Sequence, residues 1–260
     1  MARSTFSVDG TALTALPTRW VTDAQKLHGA DNIDVAHVTL PGRDGELPLG
    51  NKRTVGAATW ELSICVTGKT YAEFLTNKAA LEALLAPARR LVTIREVAGS
   101  VDLSAEAMLM SMTVDRPWSS QQDGADLTYS FRVPSGVWRS PSTTSAALTA
   151  GTVTATALAG GSAPQQGAEL LFTSTSSGYF NIYPEGDPNA YVQWGPEGSP
   201  PSGEIVIRSG VYTATAGGAD ASGHVDYGSD AFYVPADGRL VVESLSGVSN
   251  LRIRSRKAWY

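Results

Sequence analysis

The sequence predicts a mainly β protein of two domains, and three observations lead there. Its 260 residues include 26 glycines and 14 prolines, a turn-rich composition. Short apolar–polar alternations recur, with the period of two that a strand with one buried face requires. Only one stretch carries a convincing helical pattern, so strands must supply most of the core.

Thr5 to Leu16 reads as a strand, a turn at Asp9-Gly10 and a second short strand. Trp20 to Leu27 is polar, and His28 to Asn32 reads as a loop. Ile33, Val35 and His37 alternate into a short apolar strand at Val38 to Leu40. Pro41-Gly42 with Asp44-Gly45 makes a compact turn, because glycine tolerates positive φ. A long polar stretch follows, and then Trp60, Leu62, Ile64 and Val66 alternate with Glu61, Ser63, Cys65 and Thr67. The segment from Val38 to Val66 is therefore expected to be a β-hairpin with a long polar arm, and it holds no obvious reaction centre.

Thr70 to Ala86 is the predicted helix. Thr70 caps its start, and Glu73, three residues on, completes a capping box. Tyr71, Phe74, Leu75, Leu81, Leu84 and Leu85 form one apolar stripe, and Pro87 ends the helix. Leu91 to Val97 reads as a strand. Val101 to Val114 carries another, with Met108, Met110 and Met112 at alternate positions and read as core filling. Leu127 to Pro134 is the last strand of this half, and Trp138 to Pro141 leaves it.

Residues 140–168 are dominated by Ser, Thr, Ala and Gly, which puts the boundary near residue 140 and the two domains at 1–140 and 141–260. Thr149 to Ala157 is β-permissive within that stretch. Eight short strands follow, at Glu169–Thr173, Tyr179–Tyr183, Ala190–Trp194, Glu204–Ser209, Val211–Ala214, Ala231–Val234, Arg239–Ser244 and Asn250–Arg256. With Gly, Pro and Asp turns between them, they predict a two-sheet β-sandwich or jelly roll.

The net charge of −5 is unevenly spread. Residues 1–140 hold 14 Lys/Arg against 15 Asp/Glu, and residues 141–260 hold 6 against 10. No large basic field is present to grip a nucleic-acid backbone. A single cysteine, Cys65, excludes an intrachain disulfide and a cysteine-based zinc site. It reads as a half-buried structural thiol on the strand face opposite Trp60. The opening residues lead into no apolar signal segment, and no run approaches about 18 apolar residues. Neither a secretion signal nor a membrane span is expected.

His28, His37 and His224 each lack a neighbour at ligand spacing, and His37 reads as a strand-edge residue. Asp220, Asp226 and Asp230 share a Gly-rich loop with His224. Oxygen-rich loops of this kind hold Ca²⁺, but the spacing fits no EF-hand, and glycine-spaced aspartates are turn formers. No nucleophile elbow, His-Glu-x-x-His or phosphate-cradling Gly-Lys-Ser/Thr occurs. Ser222, His224 and Asp226 have a spacing that gives no reason for a relay. The sequence therefore predicts no catalytic, metal or cofactor site. Tyr179, Phe180, Tyr183, Tyr191 and Trp194 cluster beside Asn181, Glu185 and Gln193. Core area is the first reading of these rings. The second is a sugar-stacking surface with Tyr191 and Trp194 as glycan contacts.

The hairpin arm with Pro-Gly-Arg-Asp-Gly at 41–45, the Trp60-initiated strand and the single striped helix resemble the N-terminal belt domain of siphophage distal tail (Dit) proteins, a split-barrel-type β domain. The Gly/Ser/Thr-rich sandwich ending in Leu251-Arg252-Ile253-Arg254 and Trp259-Tyr260 is similar to their C-terminal galectin-like domain. The resemblance covers nearly the whole chain. It implies a structural, non-enzymatic virion protein of the tail tip, made in the host cytoplasm and not inserted in a membrane. Such a protein forms a homo-hexameric ring joining the tail tube protein to the tail-tip hub, or tail-associated protein. The tape measure protein and transiting DNA pass only through its channel. The resemblance further implies that neighbouring belt domains continue one another's sheets. The arm residues Pro41, Gly42, Arg43, Asp44, Gly45, Glu46, Leu47, Asn51, Lys52 and Arg53 would then form the oligomer interface. The alternative is a carbohydrate-binding module of a tail-tip receptor-binding protein, recognising a host wall glycan.

Overall fold

A computed structural model describes residues 4–25, 33–39, 46–86, 90–118, 123–195 and 199–260, and it is mainly β. The chain divides into two compact units, residues 1–138 with Tyr260 and residues 139–259.

The first unit holds β1 (Thr5–Val8), β2 (Thr11–Ala12), β3 (Arg19–Gln25), β4 (Ile33–Thr39), β5 (Glu46–Val55), β6 (Ala58–Thr67), the helix α1 (Tyr71–Leu85), β7 (Val92–Ala98), β8 (Val101–Trp118) and β9 (Gly124–Val133). β10 (Trp138–Arg139) lies at the division. Asp9 and Gly10, at φ 48° and 80°, make the two-residue β1–β2 turn. Positive φ at both central positions is what an Asp-Gly hairpin turn requires.

The main sheet runs β2-β1-β7-β8-β9-β6-β3. Its two ends return toward each other. Ala15 bridges Arg19, and the Arg19 guanidinium donates from Nε to the Leu13 carbonyl at 3.1 Å and from Nη2 to the Ala12 carbonyl at 3.0 Å. Curling the sheet this way buries an inward row in which Trp60, Leu62 and Ile64 face Phe131, Tyr129 and Leu127 across the β6–β9 ladder. Trp60 anchors it, with ring centroids of Phe6, Phe131 and Trp138 at 5.9, 5.4 and 5.6 Å.

α1 begins as the sequence indicates. Thr70 Oγ1 accepts the Glu73 N–H at 3.2 Å, and the Glu73 carboxylate accepts the Lys69 N–H at 2.9 Å. Its buried stripe is narrower than expected: Phe74, Leu81 and Leu85 are buried, whereas Tyr71 and Leu75 are exposed. Pro87 lies outside the described residues.

Three other expectations change. The polar stretch from Trp20 contains β3, paired to β6 from Arg19↔Val66 to Gln25↔Glu61. A register shift between Val21 and Asp23 breaks the alternation that would have revealed it. Met108 and Met110, expected in the core, are 44% and 55% exposed. The reason is the parity of β8: Leu103, Ala105 and Ala107 take its inward face, so Met108 and Met110 fall on the outward face with Glu106. Cys65, expected to be half-buried, is fully buried.

The second unit holds β11 (Thr144–Ala147), β12 (Gly151–Thr154), β13 (Gln165–Gln166), β14 (Glu169–Pro184), β15 (Val192–Trp194), β16 (Gly203–Arg208), β17 (Thr213–Ala216), β18 (Ala219–Asp220), β19 (Val225–Tyr227), β20 (Tyr233–Val234), β21 (Arg239–Ser255) and β22 (Ala258–Trp259). Residues 169–183 and 239–256, each read as two strands, form one long strand apiece. β14 and β21 pair as an antiparallel ribbon, with register shifts between Leu171 and Thr173, Ser174 and Tyr179, and Tyr179 and Asn181. Such irregularities bend a ribbon. β16, β17, β18 and β11 flank one half, while β15, β19 and β12 flank the other. Inward residues of both halves share one core: Leu170 and Phe172 from one, Phe180 and Ile182 from the other. At the bend, a Cβ on Gly178 would lie 2.0 Å from Ser174 Oγ, so no other residue fits there without displacement.

Burial pushes the Cys65 pKa up from 9.0 to about 12, reinforced by a hydrogen bond to Asp126 and its charge. The folded value lies above the unfolded one, so this contribution to stability is complete below about pH 9 and is lost as pH rises toward 12. Urea midpoints of the full chain are expected to fall across that window, less steeply for Cys65→Ala. Ellman's reagent at mildly alkaline pH should label Cys65 only when urea unfolds the chain.

Candidate functional site

β4 and β5 form a two-stranded sheet, with Ile33 opposite Val55, Thr39 opposite Glu46, and an irregularity between Val35 and His37. The hairpin thus returns along β5, whereas the expected return strand from Trp60 is β6, paired with β3 and β9. β5 escapes a pattern reading because Pro48, Gly50 and the run Asn51-Lys52-Arg53 are poor strand formers. Among the described residues no further strand pairs with β4 or β5, so both outer edges of the ribbon lack a strand partner. A lone two-stranded ribbon is marginal in water, and its open edges are templates for another strand.

Of the expected interface residues, Glu46, Leu47, Asn51, Lys52 and Arg53 lie on β5. Glu46 and Leu47 stand opposite Thr39 and Val38, and Arg53 stands opposite Val35. Pro41, Gly42, Arg43, Asp44 and Gly45 lie outside the described residues. A second edge belongs to β3, which ends the sheet path with β6 as its strand neighbour. A cleft of about 910 Å³ runs along it, lined by Thr5 and Phe6 of β1, by Leu16, and by Trp20, Thr22 and Asp23. One unit therefore carries both a separate two-stranded ribbon and a sheet end with no further strand partner among the described residues.

In the second unit Trp194 cannot meet a glycan. It is wholly buried, edge-on to Phe172 at 5.3 Å, and its Nε1 donates to Ser174 Oγ at 2.9 Å. Tyr191 and Gln193 fall on the opposite face, beside Tyr179, Asn181 and Tyr183, which alternate with the core residues Phe180 and Ile182. Gln193 Nε2 donates to Tyr179 Oη at 3.0 Å. Tyr183 Oη donates to a Glu243 carboxylate oxygen at 2.7 Å, and Tyr191 Oη to Asp226 Oδ2 at 3.0 Å. Each of these carboxylate hydrogen bonds raises the phenol pKa above its ordinary value. Asn181 Oδ1 is buried without a hydrogen-bond partner.

Groups with catalytic potential are otherwise engaged. Ser222 Oγ donates to Asp220 Oδ1 at 2.6 Å, while the His224 ring lies 6.0 Å from Trp194 with Nδ1 buried and unpartnered. Asp226 accepts from Tyr191, so Ser222, His224 and Asp226 form no relay. The Ser222 hydroxyl, and then its N–H, hold the Asp220 carboxyl below its ordinary pKa in a turn. Among the described residues no three His, Cys, Asp or Glu side chains gather as a metal site would require, and no helix is long and apolar enough to cross a membrane.

Trp194→Ala is expected to lower the stability of the second unit by about 3–5 kcal/mol in chemical denaturation, through the cavity it leaves beside Phe172 and Phe180. Tyr191→Ala, on the outer face, should stay within about 1 kcal/mol of the parent.

No protein-family model matches the chain, and no curated protein sequence matches it. Among solved structures it is similar to the Dit (gp 19.1) protein of phage SPP1, described as a paradigm of the hub adsorption apparatus in phages infecting Gram-positive bacteria. That likeness has a TM-score of 0.67 at 16% identity, over 99% of this chain and 100% of that one. Chains of the phage P2 baseplate in its activated conformation with Ca and with Sr give TM-scores of 0.45 and 0.44 at 13% and 12% identity, over 98% of each chain. At these identities the SPP1 likeness establishes a shared fold.

Proposed function

We propose that this chain is a distal tail protein of a long, non-contractile phage tail, a structural subunit that assembles into a hexameric ring. In this reading the first unit is the ring-forming belt and the second a galectin-like sandwich. The ring joins the tail tube protein to the tail-tip hub, and the tape measure protein and DNA traverse its channel without being gripped. Its place is the virion tail tip, and its role is mechanical rather than enzymatic.

The observation that carries the reading is the β4–β5 ribbon, which pairs with no third strand among the described residues, on a unit whose sheet path ends at β3. A ribbon on one subunit and a different edge on the next make a heterologous contact, which closes into a ring when the rotation between copies allows. Pro48 in β5 suits an edge strand, where a missing N–H costs least. The full-length likeness to SPP1 Dit supports the same assignment.

The tyrosine face favours a second, compatible role. Tyr179, Tyr183 and Tyr191, with Asn181 and Gln193 between them, offer stacking and hydrogen-bonding groups suited to a host wall glycan. Tyr191 replaces Trp194 as the residue to test. A glycan array without hits removes this role and leaves the ring untouched.

Light scattering coupled to size exclusion is expected to give about six times the 27.3 kDa chain mass. Replacing residues 33–55 with an Asn-Gly turn should yield a folded monomer with an unchanged thermal transition for the second unit. A parent chain that stays monomeric at high concentration, or a loopless variant that still assembles, overturns the ring reading.

A further inference from the structure

Residues 141–260 are acidic, with 6 Lys/Arg against 10 Asp/Glu, yet Arg208, Arg254 and Arg256 gather around the end of β21. Alternation along the end of β21 buries Leu251, Ile253 and Ser255 and turns Arg252, Arg254 and Arg256 to the other face. Cross-strand register sets Arg254 opposite Glu169 of β14, and Glu169 opposite Arg208 of β16. Glu169 accepts from Nε of Arg254 at 2.8 Å and from its Nη2, and its other oxygen lies 3.3 Å from Arg208 Nε. One carboxylate thus orients two guanidinium forks and is largely consumed in doing so.

Beside this ladder lies a cleft of about 700 Å³, lined by Arg139, Thr143, Gln166, Glu169, Arg254 and Arg256. Gly167 and Gly210 supply bare backbone to its wall. A Cβ on Gly210 would lie 2.9 Å from the Gly167 Cα, and Gly167 itself sits at φ +73°. The pair of glycines thus lets the two backbones pass close together at the cleft wall. Arg139, Arg254 and Arg256 line the cleft; Arg254 is paired with Glu169, and Arg256 has no ion-pair partner among the described residues.

We propose that this cleft binds an oxyanion of the phosphate class, as a free phosphate or as a phosphate group carried on a larger molecule. Guanidinium forks match tetrahedral oxyanions bidentately, and orientation by Glu169 removes part of the ordering cost of binding. A cation is repelled by Arg256, and a neutral sugar finds no aromatic ring in this lining. The concave shape and volume suit a small charged group rather than a flat protein surface. The inference does not depend on the ring reading.

Calorimetric titration of the full chain with inorganic phosphate, at constant ionic strength, is expected to show saturable binding in the millimolar range that chloride does not reproduce. Arg256→Gln, which breaks no described ion pair, should weaken it about tenfold. Arg239→Gln removes the same charge at the far end of β21, where Arg239 pairs with Glu185 at 2.8 Å, and should leave affinity within about twofold. Thermal midpoints of both variants verify folding. Parallel titrations with glycerol 3-phosphate and dimethyl phosphate separate the sources. Tighter binding of the monoester assigns a free or terminal phosphate, and equal binding of the diester assigns a phosphate within a chain. Absence of saturation with every phosphate compound, equal binding of chloride, or equal losses in the two variants overturns the proposal.

Discussion

Every strand must find partners for the N–H and C=O groups along both of its edges, and this requirement governs the molecule. The first unit meets it by curling its sheet until the ends approach, with Arg19 completing the return through the Leu13 and Ala12 carbonyls. The closure is partial. Among the described residues, β3 ends the sheet path and β4–β5 is a ribbon without a third strand. The apolar interior around Trp60 supplies the unit's core. The strand edges without a strand partner among the described residues are the physical basis of the proposed assembly role.

The second unit meets the same requirement with length and a bend. β14 and β21 run together as one ribbon whose register shifts let its halves share a core. The bend depends on small, specific fittings. Gly178 makes room for Ser174 Oγ, and that oxygen accepts the indole N–H of Trp194, the largest side chain of this core. Short strands then cover each half, which leaves the outward residues of the ribbon free to carry polar chemistry.

That outward chemistry comes in two kinds. At one end, tyrosines and amides form a mixed aromatic and polar face tied to Asp226 and Glu243. At the other, arginines converge around Glu169. The groups that look reactive in isolation are used structurally instead: Cys65 is buried and held protonated, and Ser222 and Asp220 bond each other in a turn. Side-chain identity alone would not separate these cases. Burial and hydrogen-bond partners do.

Features set by neighbours in sequence are legible in the order of residues alone. The Asp9-Gly10 turn, the Thr70 cap, the alternation from Trp60 to Val66 and the mainly β class all follow from backbone preferences acting over a few residues. The hairpin arm is legible as polar and turn-centred, but its return strand β5 is not, because Pro48 and Gly50 obscure it. What stays hidden depends on contacts distant in sequence. Alternation establishes that Gln193 and Trp194 occupy opposite faces; only pairing with β14 and β19 decides that the indole goes inside and Gln193 out. The same holds for Met108 and Met110, outward because the core takes the face of β8 that carries Leu103, Ala105 and Ala107, and for Glu169, which meets Arg208 and Arg254 through ladders linking residues some 40 and 85 positions apart. Local propensity chooses the shape of a segment, and the register between distant segments chooses its surroundings.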